Sequence, residues 1–91
     1  MNEVVPIQNQ NVAYTIIEEE AALVHPVDSS LYWLNPVATR IWELSDGQNS
    51  IAAIADALCQ EFDVDQETAL ADALKMIESF RAKQLIQMTG G

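Results

Sequence analysis

The sequence has very little of several residue types on which common functions depend. It contains one cysteine, Cys59, and one histidine, His25, which excludes an internal disulfide, a cysteine metal cluster and a paired-imidazole zinc site. Four basic residues stand against fourteen acidic ones, a formal charge of -10, so little cationic surface is available for a phosphate backbone or an anionic lipid. We therefore expect no cofactor, no nucleic-acid partner and no membrane partner.

Long apolar runs and an N-terminal export signal are also missing. Acidic residues and prolines interrupt every stretch before it reaches the roughly 18 to 20 apolar residues that a membrane-spanning helix needs. Glu3 and Pro6 stand where a secretory signal would carry its positive charge and its apolar segment. These observations predict a cytoplasmic protein.

The sequence has enough apolar material for one small core. Of its 91 residues 49% are hydrophobic, which separates it from the low-hydrophobicity, highly charged sequences that stay disordered. We expect a single domain over residues 1–91, acting as a monomer, with a flexible arm at 1–11 and a flexible tail at 87–91. Residues 85–88 could instead add a short strand or pack as coil.

Residues 12–34 show the pattern of a three-stranded antiparallel sheet. The run Val12–Ile17 is rich in β-branched and aromatic residues and ends at the acidic triplet Glu18–Glu20. A second strand over Ala21–Val24 is broken by the Pro, Asp and Ser residues that follow it, and a third resumes at Leu31–Leu34.

Residues 35–86 show the pattern of three helices. Asn35 before Pro36 is a strong helix start, and the helix is expected to end at Ser45, ahead of Asp46-Gly47. Ser50 begins a second helix and Asp63 or Asp65 a third. The apolar face predicted for the third helix is Leu70, Ala73, Leu74, Ile77 and Phe80. Strands followed by helices predict an α+β, winged-helix-like domain.

The third strand carries large apolar groups on both faces. Tyr32 and Leu34 point to one side of the strand, while Leu31 and Trp33 point to the other. Either the tail or the N-terminal arm covers the second face, or the strand lies at an open sheet edge that accepts another chain.

The third helix is the one locally cationic element. It carries Lys75, Arg81 and Lys83, three of the four basic residues of the chain. Two explanations remain open: compensation of the helix dipole, or a grip on an acidic peptide. The terminal Gly90-Gly91 resembles the end of ubiquitin-like sulfur carriers, but it follows a long helix rather than a β-grasp sheet, which favours a frayed end.

The order of motifs from Val12 to Ile86 resembles the PqqD-like family, whose members recognise the precursors of ribosomally synthesised and post-translationally modified peptides (RiPPs). The matching features are an aromatic strand ending in Leu34-Asn35, then Ile41-Trp42, Asp46-Gly47 and Phe62-Asp63, and a long last helix. Two departures are visible: Pro36-Val37 replaces a small polar and glycine pattern, and Gln84 stands where glycine commonly precedes Leu85-Ile86.

The resemblance implies a peptide chaperone that is not itself an enzyme. In such domains the leader segment of a precursor peptide adds as a strand to the edge of strand three and lies in a groove beside helix three. The domain then presents the rest of the precursor to a modifying enzyme, often a radical SAM enzyme. The rival interpretations are a winged-helix DNA-binding regulator, whose recognition helix should be basic, and a purely structural partner domain.

The third helix has two rims that could face the groove. One rim is formed by Asp72, Met76, Ser79 and Lys83, the other by Leu74, Glu78 and Arg81. We expect the first, because Met76 offers an adaptable apolar surface and Lys83 a terminal charge, with Lys75 within reach. The residues expected to bind the peptide are Leu31, Tyr32, Trp33, Leu34, Asp72, Lys75, Met76, Ser79 and Lys83.

Overall fold

The computed structural model describes residues 4–89 and contains two small sheets and three helices. Strands β2, β3 and β4 form an antiparallel sheet in that order, and β1 pairs with β5 in a separate antiparallel ribbon. The predicted α+β class with a three-stranded sheet followed by three helices is therefore confirmed. The elements are β1 (Val5–Gln8), β2 (Ala13–Ile17), β3 (Glu20–Val24), β4 (Leu31–Trp33), α1 (Pro36–Leu44), α2 (Ile51–Glu61), α3 (Gln66–Ala82) and β5 (Ile86–Thr89).

Side-chain caps set the start of every helix. Asn35 Oδ1 accepts from Ala38 N at 2.8 Å before α1, and Ser50 Oγ accepts from Ala53 N at 3.1 Å before α2. Asp65, rather than Asp63, caps α3 and lies 2.7 Å from Thr68 N. The hydrogen bonds from the backbone and side chain of Thr68 lower the pKa of the Asp65 carboxyl, because they favour its charged form.

The core lies between the three-stranded sheet and the helices. Trp42 is fully buried, and its ring meets those of Tyr14 and Phe80 edge-on, with centroids 5.4 Å and 5.8 Å apart. Leu23 and Ile41 are also fully buried. These contacts place one face of the sheet on the helices and leave the other face without a helical layer.

The ribbon includes parts of both predicted ends. Residues 5–7 of the arm pair with residues 87–89 of the tail, with Val5 opposite Thr89, and Gln8 pairs with Ile86. The arm thus contains a strand that the sequence did not predict, and the tail forms the short strand that was one of its two possibilities. Gln8 also donates from Nε2 to the Trp42 carbonyl at 2.8 Å, which fastens β1 to α1. The remaining ends, including Gly90-Gly91, lie outside the described residues.

The face of α3 also differs in part from the prediction. The buried stripe is Ala69, Ala73, Ile77 and Phe80, whereas Leu70 and Leu74 are exposed. Alanines occupy two of these four buried positions, and the larger Leu70 and Leu74 lie outside the buried stripe. Within residues 4–89 no helix is long and apolar enough to cross a membrane.

Candidate functional site

A cleft runs between β4 and the C-terminal half of α3. It encloses about 340 Å³ and has both polar and apolar walls. One wall is the strand predicted as the third of the sheet, and the other is the rim of α3 that contains Met76 and Lys83. The cleft is lined by Leu31, Tyr32, Trp33, Leu34, Asn35, Ala38, Met76, Ser79, Phe80, Lys83 and Leu85.

Strand β4 presents its side chains to two different surfaces, as predicted. Tyr32 lies opposite Leu23, a fully buried residue, and packs partly against the core. Leu31 and Trp33 point to the opposite face of the sheet, where they are 56% and 63% exposed. Trp33 is thus the exposed tryptophan and Trp42 the buried one.

The outer edge of β4 is an open row of backbone donors and acceptors. His25 N donates to Ser30 O and Leu34 N to Ala21 O, both at the hydrogen-bonded positions of the ladder with β3. Because such positions alternate along an antiparallel pair, Tyr32 also bonds to β3, and Leu31 and Trp33 direct their N–H and C=O groups away from it. An added strand would find its backbone partners at these two residues.

Lys83 spans the cleft at its end. Its Nζ donates to Ser79 Oγ on α3 at 2.8 Å and lies 5.8 Å from the centre of the Tyr32 ring on β4. A cation over an aromatic face is held weakly at an exposed site, by roughly 0.5 to 1 kcal/mol. The ammonium can therefore turn toward an acidic group without disturbing either wall.

His25 holds the same end of the cleft together. The Val27 N–H donates to His25 Nδ1 at 3.1 Å, so Nε2 carries the proton that is donated to the Lys83 carbonyl at 2.9 Å. His25 is 7% exposed, and it joins the turn before β4 to Lys83, the C-cap residue of α3. No pattern in the sequence places this histidine beside the cleft.

A second cavity of about 390 Å³ continues along α3 toward its start. Asp72 and Lys75 border it, together with Val37 and Ile41 of α1, and Met76 and Ser79 border both cavities. The structure thus places all nine predicted residues around two adjoining cavities on one side of α3. Asn35, Ala38, Phe80 and Leu85 also line the first cavity but were missed, because sequence patterns mark them as cap or core residues.

The rim of α3 that faces β4 is the predicted one. Met76, Ser79 and Lys83 lie in the cleft, whereas Glu78 and Arg81 border a separate shallow depression. The cations are therefore divided between two sides of the helix: Lys83 lines the cleft and Lys75 the adjoining cavity, whereas Arg81 lies on the other side.

Comparison with known proteins matches residues 20–86 to the family described as coenzyme PQQ synthesis protein D (PqqD). The chain belongs to the PqqD family. The matched range covers the sheet from β3 onward, all three helices and the start of β5. A comparison with curated proteins finds no match.

Three solved structures resemble this PqqD-family chain. TbiB1 in complex with the TbiA(beta) leader peptide has a TM-score of 0.80 and 27% identity, over 89% of this chain and 94% of that one. The PqqD truncation of Methylobacterium extorquens PqqCD, described as a stand-alone RiPP recognition element, has a TM-score of 0.74 and 27% identity, over 91% and 88%. A lasso peptide synthetase B1 complexed with its leader peptide shares the fold, at 17% identity and a TM-score of 0.79 over 90% and 96%.

Proposed function

We propose that this protein binds the leader segment of a ribosomally made precursor peptide as a further strand on β4. The observation that carries the proposal is the open edge at Leu31 and Trp33, which runs directly beside the cleft of α3. Backbone bonds to the edge provide affinity that tolerates sequence variation, and the cavities at Tyr32, Met76 and Lys83 select side chains. Membership of the PqqD family supports this function.

The bound leader leaves the rest of the precursor free for chemistry on another protein. The chain acts as a recognition element rather than a catalyst, and it presents the precursor to a modifying enzyme such as a radical SAM enzyme. Charge disfavours the DNA-binding alternative, since the net charge is -10 and Asp72 borders the same cavity as Lys75.

Titration with leader peptides encoded near the gene tests the proposal. We expect micromolar affinity, because a short strand loses conformational entropy when it becomes ordered. Amide NMR shifts should concentrate at residues 31–34 and 75–83, and a scrambled peptide of equal composition is the control. Shifts confined to residues 36–62 would contradict the groove model.

A further inference from the structure

The sheet β2–β3–β4 has a second, apolar face that points away from the helices. The strand register places two cross-strand rows on it. Leu31 and Trp33 are more than half exposed there, and Ile17 at the end of β2 is 59% exposed. No element among residues 4–89 covers these side chains. The rows are Ala13–Val24–Leu31 and Thr15–Ala22–Trp33.

Acidic groups border this outer face at both ends of the strands. Glu18, Glu19 and Glu20 lie at the β2–β3 turn, and Asp28 lies in the turn between β3 and β4, all of them exposed. The Ser30 backbone N–H donates to Asp28 Oδ1 at 3.0 Å, and this bond lowers the pKa of the carboxyl. The charged residues of these two turns are all acidic, since the sequence has no Lys or Arg before Arg40. Lys83 approaches β4 from the opposite side, over the Tyr32 ring.

We propose that this outer face docks an amphipathic helix of a second protein, with leucine-like side chains on one side and lysines or arginines along its borders. Three strands spaced by about 4.8 Å span about 10 Å, which matches the diameter of one helix. An apolar sheet face is usually covered by a helix, and the acidic border selects a cationic one. A second copy of this chain would bring acids against acids, which opposes self-association through this face.

The docking site shares Leu31 and Trp33 with the leader site but also uses β2 and β3, and it goes beyond the proposed function. A leader strand would extend the sheet sideways from β4 and fill the cleft toward α3, which leaves β2 and β3 open on the outer face. One domain could then hold the leader and a second protein at the same time. A partner on this face would also lie beside the outward side chains of the bound leader.

A model peptide tests the outer face directly. The probe is a helical peptide of about 18 leucines and lysines with all leucines on one side, long enough to form a helix when bound. At about 150 mM salt, NMR shifts on adding the probe should concentrate at Thr15 and Val24, which lie outside the leader site. Shifts concentrated on α2 or α3 would overturn the proposal.

Two charge-matched variants separate the acidic border from net charge. Glu18→Lys/Glu20→Lys should weaken binding of the probe at least about tenfold, whereas Asp63→Lys/Glu78→Lys, which changes the net charge equally, should weaken it by less than about threefold. Equal losses in the two variants would overturn the proposal. Ile17→Ser, at an exposed position, gives an independent measure of the apolar contribution and should weaken binding several-fold.

The leader titration on the same variants keeps the two hypotheses apart. Neither Glu18 nor Glu20 lines the cleft, so Glu18→Lys/Glu20→Lys should bind the leader as the wild type does. Loss of probe binding with unchanged leader binding supports the docking site. A wild-type protein that binds the probe on the outer face but no leader would refute the proposed function and leave the docking site standing.

Discussion

The two outer strands of the main sheet, β2 and β4, differ in what lies beside them. All five residues of β2 are exposed, and β2 has only β3 as a neighbour in the sheet, as does β4. Beside β4 lies the cleft with Tyr32, Met76 and Lys83. Beside β2 lies a smaller cavity of about 210 Å³ whose walls include Glu19, Glu43 and Glu61.

The two edges differ more in the charged side chains beside them than in their open backbone groups. The one cation beside β2, Arg40, donates from Nε and Nη2 to Glu61 at 2.7 Å and 3.1 Å and lies 3.6 Å from Glu43. The hydrogen bonds to Glu61 raise the pKa of the Arg40 guanidinium, because they favour its charged form. The charge of Arg40 is thus already matched, whereas within residues 4–89 the Lys83 ammonium has the neutral Ser79 hydroxyl and the Tyr32 ring as its partners. An open edge becomes selective through its side-chain surroundings, and acids protect the other edge from unwanted pairing.

The largest expected effect comes from truncating Leu34, the buried residue directly after β4. Leu34 is buried at 8% exposure, and its N–H bonds to Ala21 O at 2.8 Å. Leu34→Ala should lower the free energy of unfolding by roughly 2 to 5 kcal/mol, since it leaves a cavity beneath the strand. Urea unfolding measures this change. Ile17→Ala, on exposed β2, is the control and should stay within about 0.5 kcal/mol.

The next effect tests whether the edge of β4 itself binds the leader. Leu31→Pro deletes an N–H that points away from β3, so it removes a bond to the added strand without removing one to the sheet. We expect at least about a tenfold loss of leader affinity in a fluorescence titration. Ile16→Pro is the matched control, because ladder alternation also directs its N–H to the open edge of β2.

A further variant at Leu31 separates the contribution of the backbone N–H to leader affinity from that of the side chain. Leu31→Ala keeps the N–H and should retain more affinity than Leu31→Pro. If Ile16→Pro weakens leader binding as much as Leu31→Pro does, the assignment of the peptide to one edge is wrong.

Local signals in the sequence predicted most of the elements that form the cleft. Asn35, Ser50 and Asp65 are strong caps, and the alternation in Leu31–Leu34 correctly assigns each side chain to a face. The sequence also predicted the rim of α3 that faces β4, because Met76 and Lys83 suit a groove better than Glu78 and Arg81 do.

Features that depend on distant contacts could not be predicted. The pairing of β1 with β5 joins segments about 80 residues apart, and a run of four residues carries too little pattern to identify its partner. Likewise, helical periodicity alone does not distinguish the exposed Leu70 and Leu74 from the buried Ala69 and Ala73 next to them in the sequence. The bond from His25 to Lys83 spans 58 residues and has no sequence signature.

A smaller effect comes from backbone strain at the end of the α3 wall. Gln84 has φ 61°, and Leu85 N bonds to Phe80 O while Gln84 N bonds to Arg81 O, which is a Schellman motif. Glycine is favoured at this position, so Gln84→Gly should raise the free energy of unfolding by about 1 kcal/mol. Thermal unfolding measures this gain in stability. Gln84→Ala keeps the Cβ atom and therefore should not be stabilised.

Glu19, near β2, has the same left-handed backbone conformation as Gln84, so it allows the same substitution on the β2 side of the sheet. Glu19, in the turn after β2, has φ 68°, and Glu19→Gly should give a similar gain in stability. Because Glu19 borders the β2 cavity and not the cleft, leader affinity should not change. A fall in leader affinity in Glu19→Gly would show that the two edges are coupled.

The smallest expected effect concerns the lysines that distinguish the β4 side. If Lys75 and Lys83 attract an acidic leader, replacing both with Gln should slow association and flatten its dependence on salt, because exposed charges act mainly by long-range steering. Stopped-flow measurements across a range of salt concentrations test this. The melting temperature should barely move, since exposed ion pairs contribute about 0 to 1 kcal/mol.

The control is Arg81→Gln, which removes one positive charge from the other side of α3 and is compared with Lys75→Gln and Lys83→Gln measured singly. A double variant that associates at the wild-type rate in low salt would remove the electrostatic contribution and leave strand addition and the apolar cavities to explain recognition.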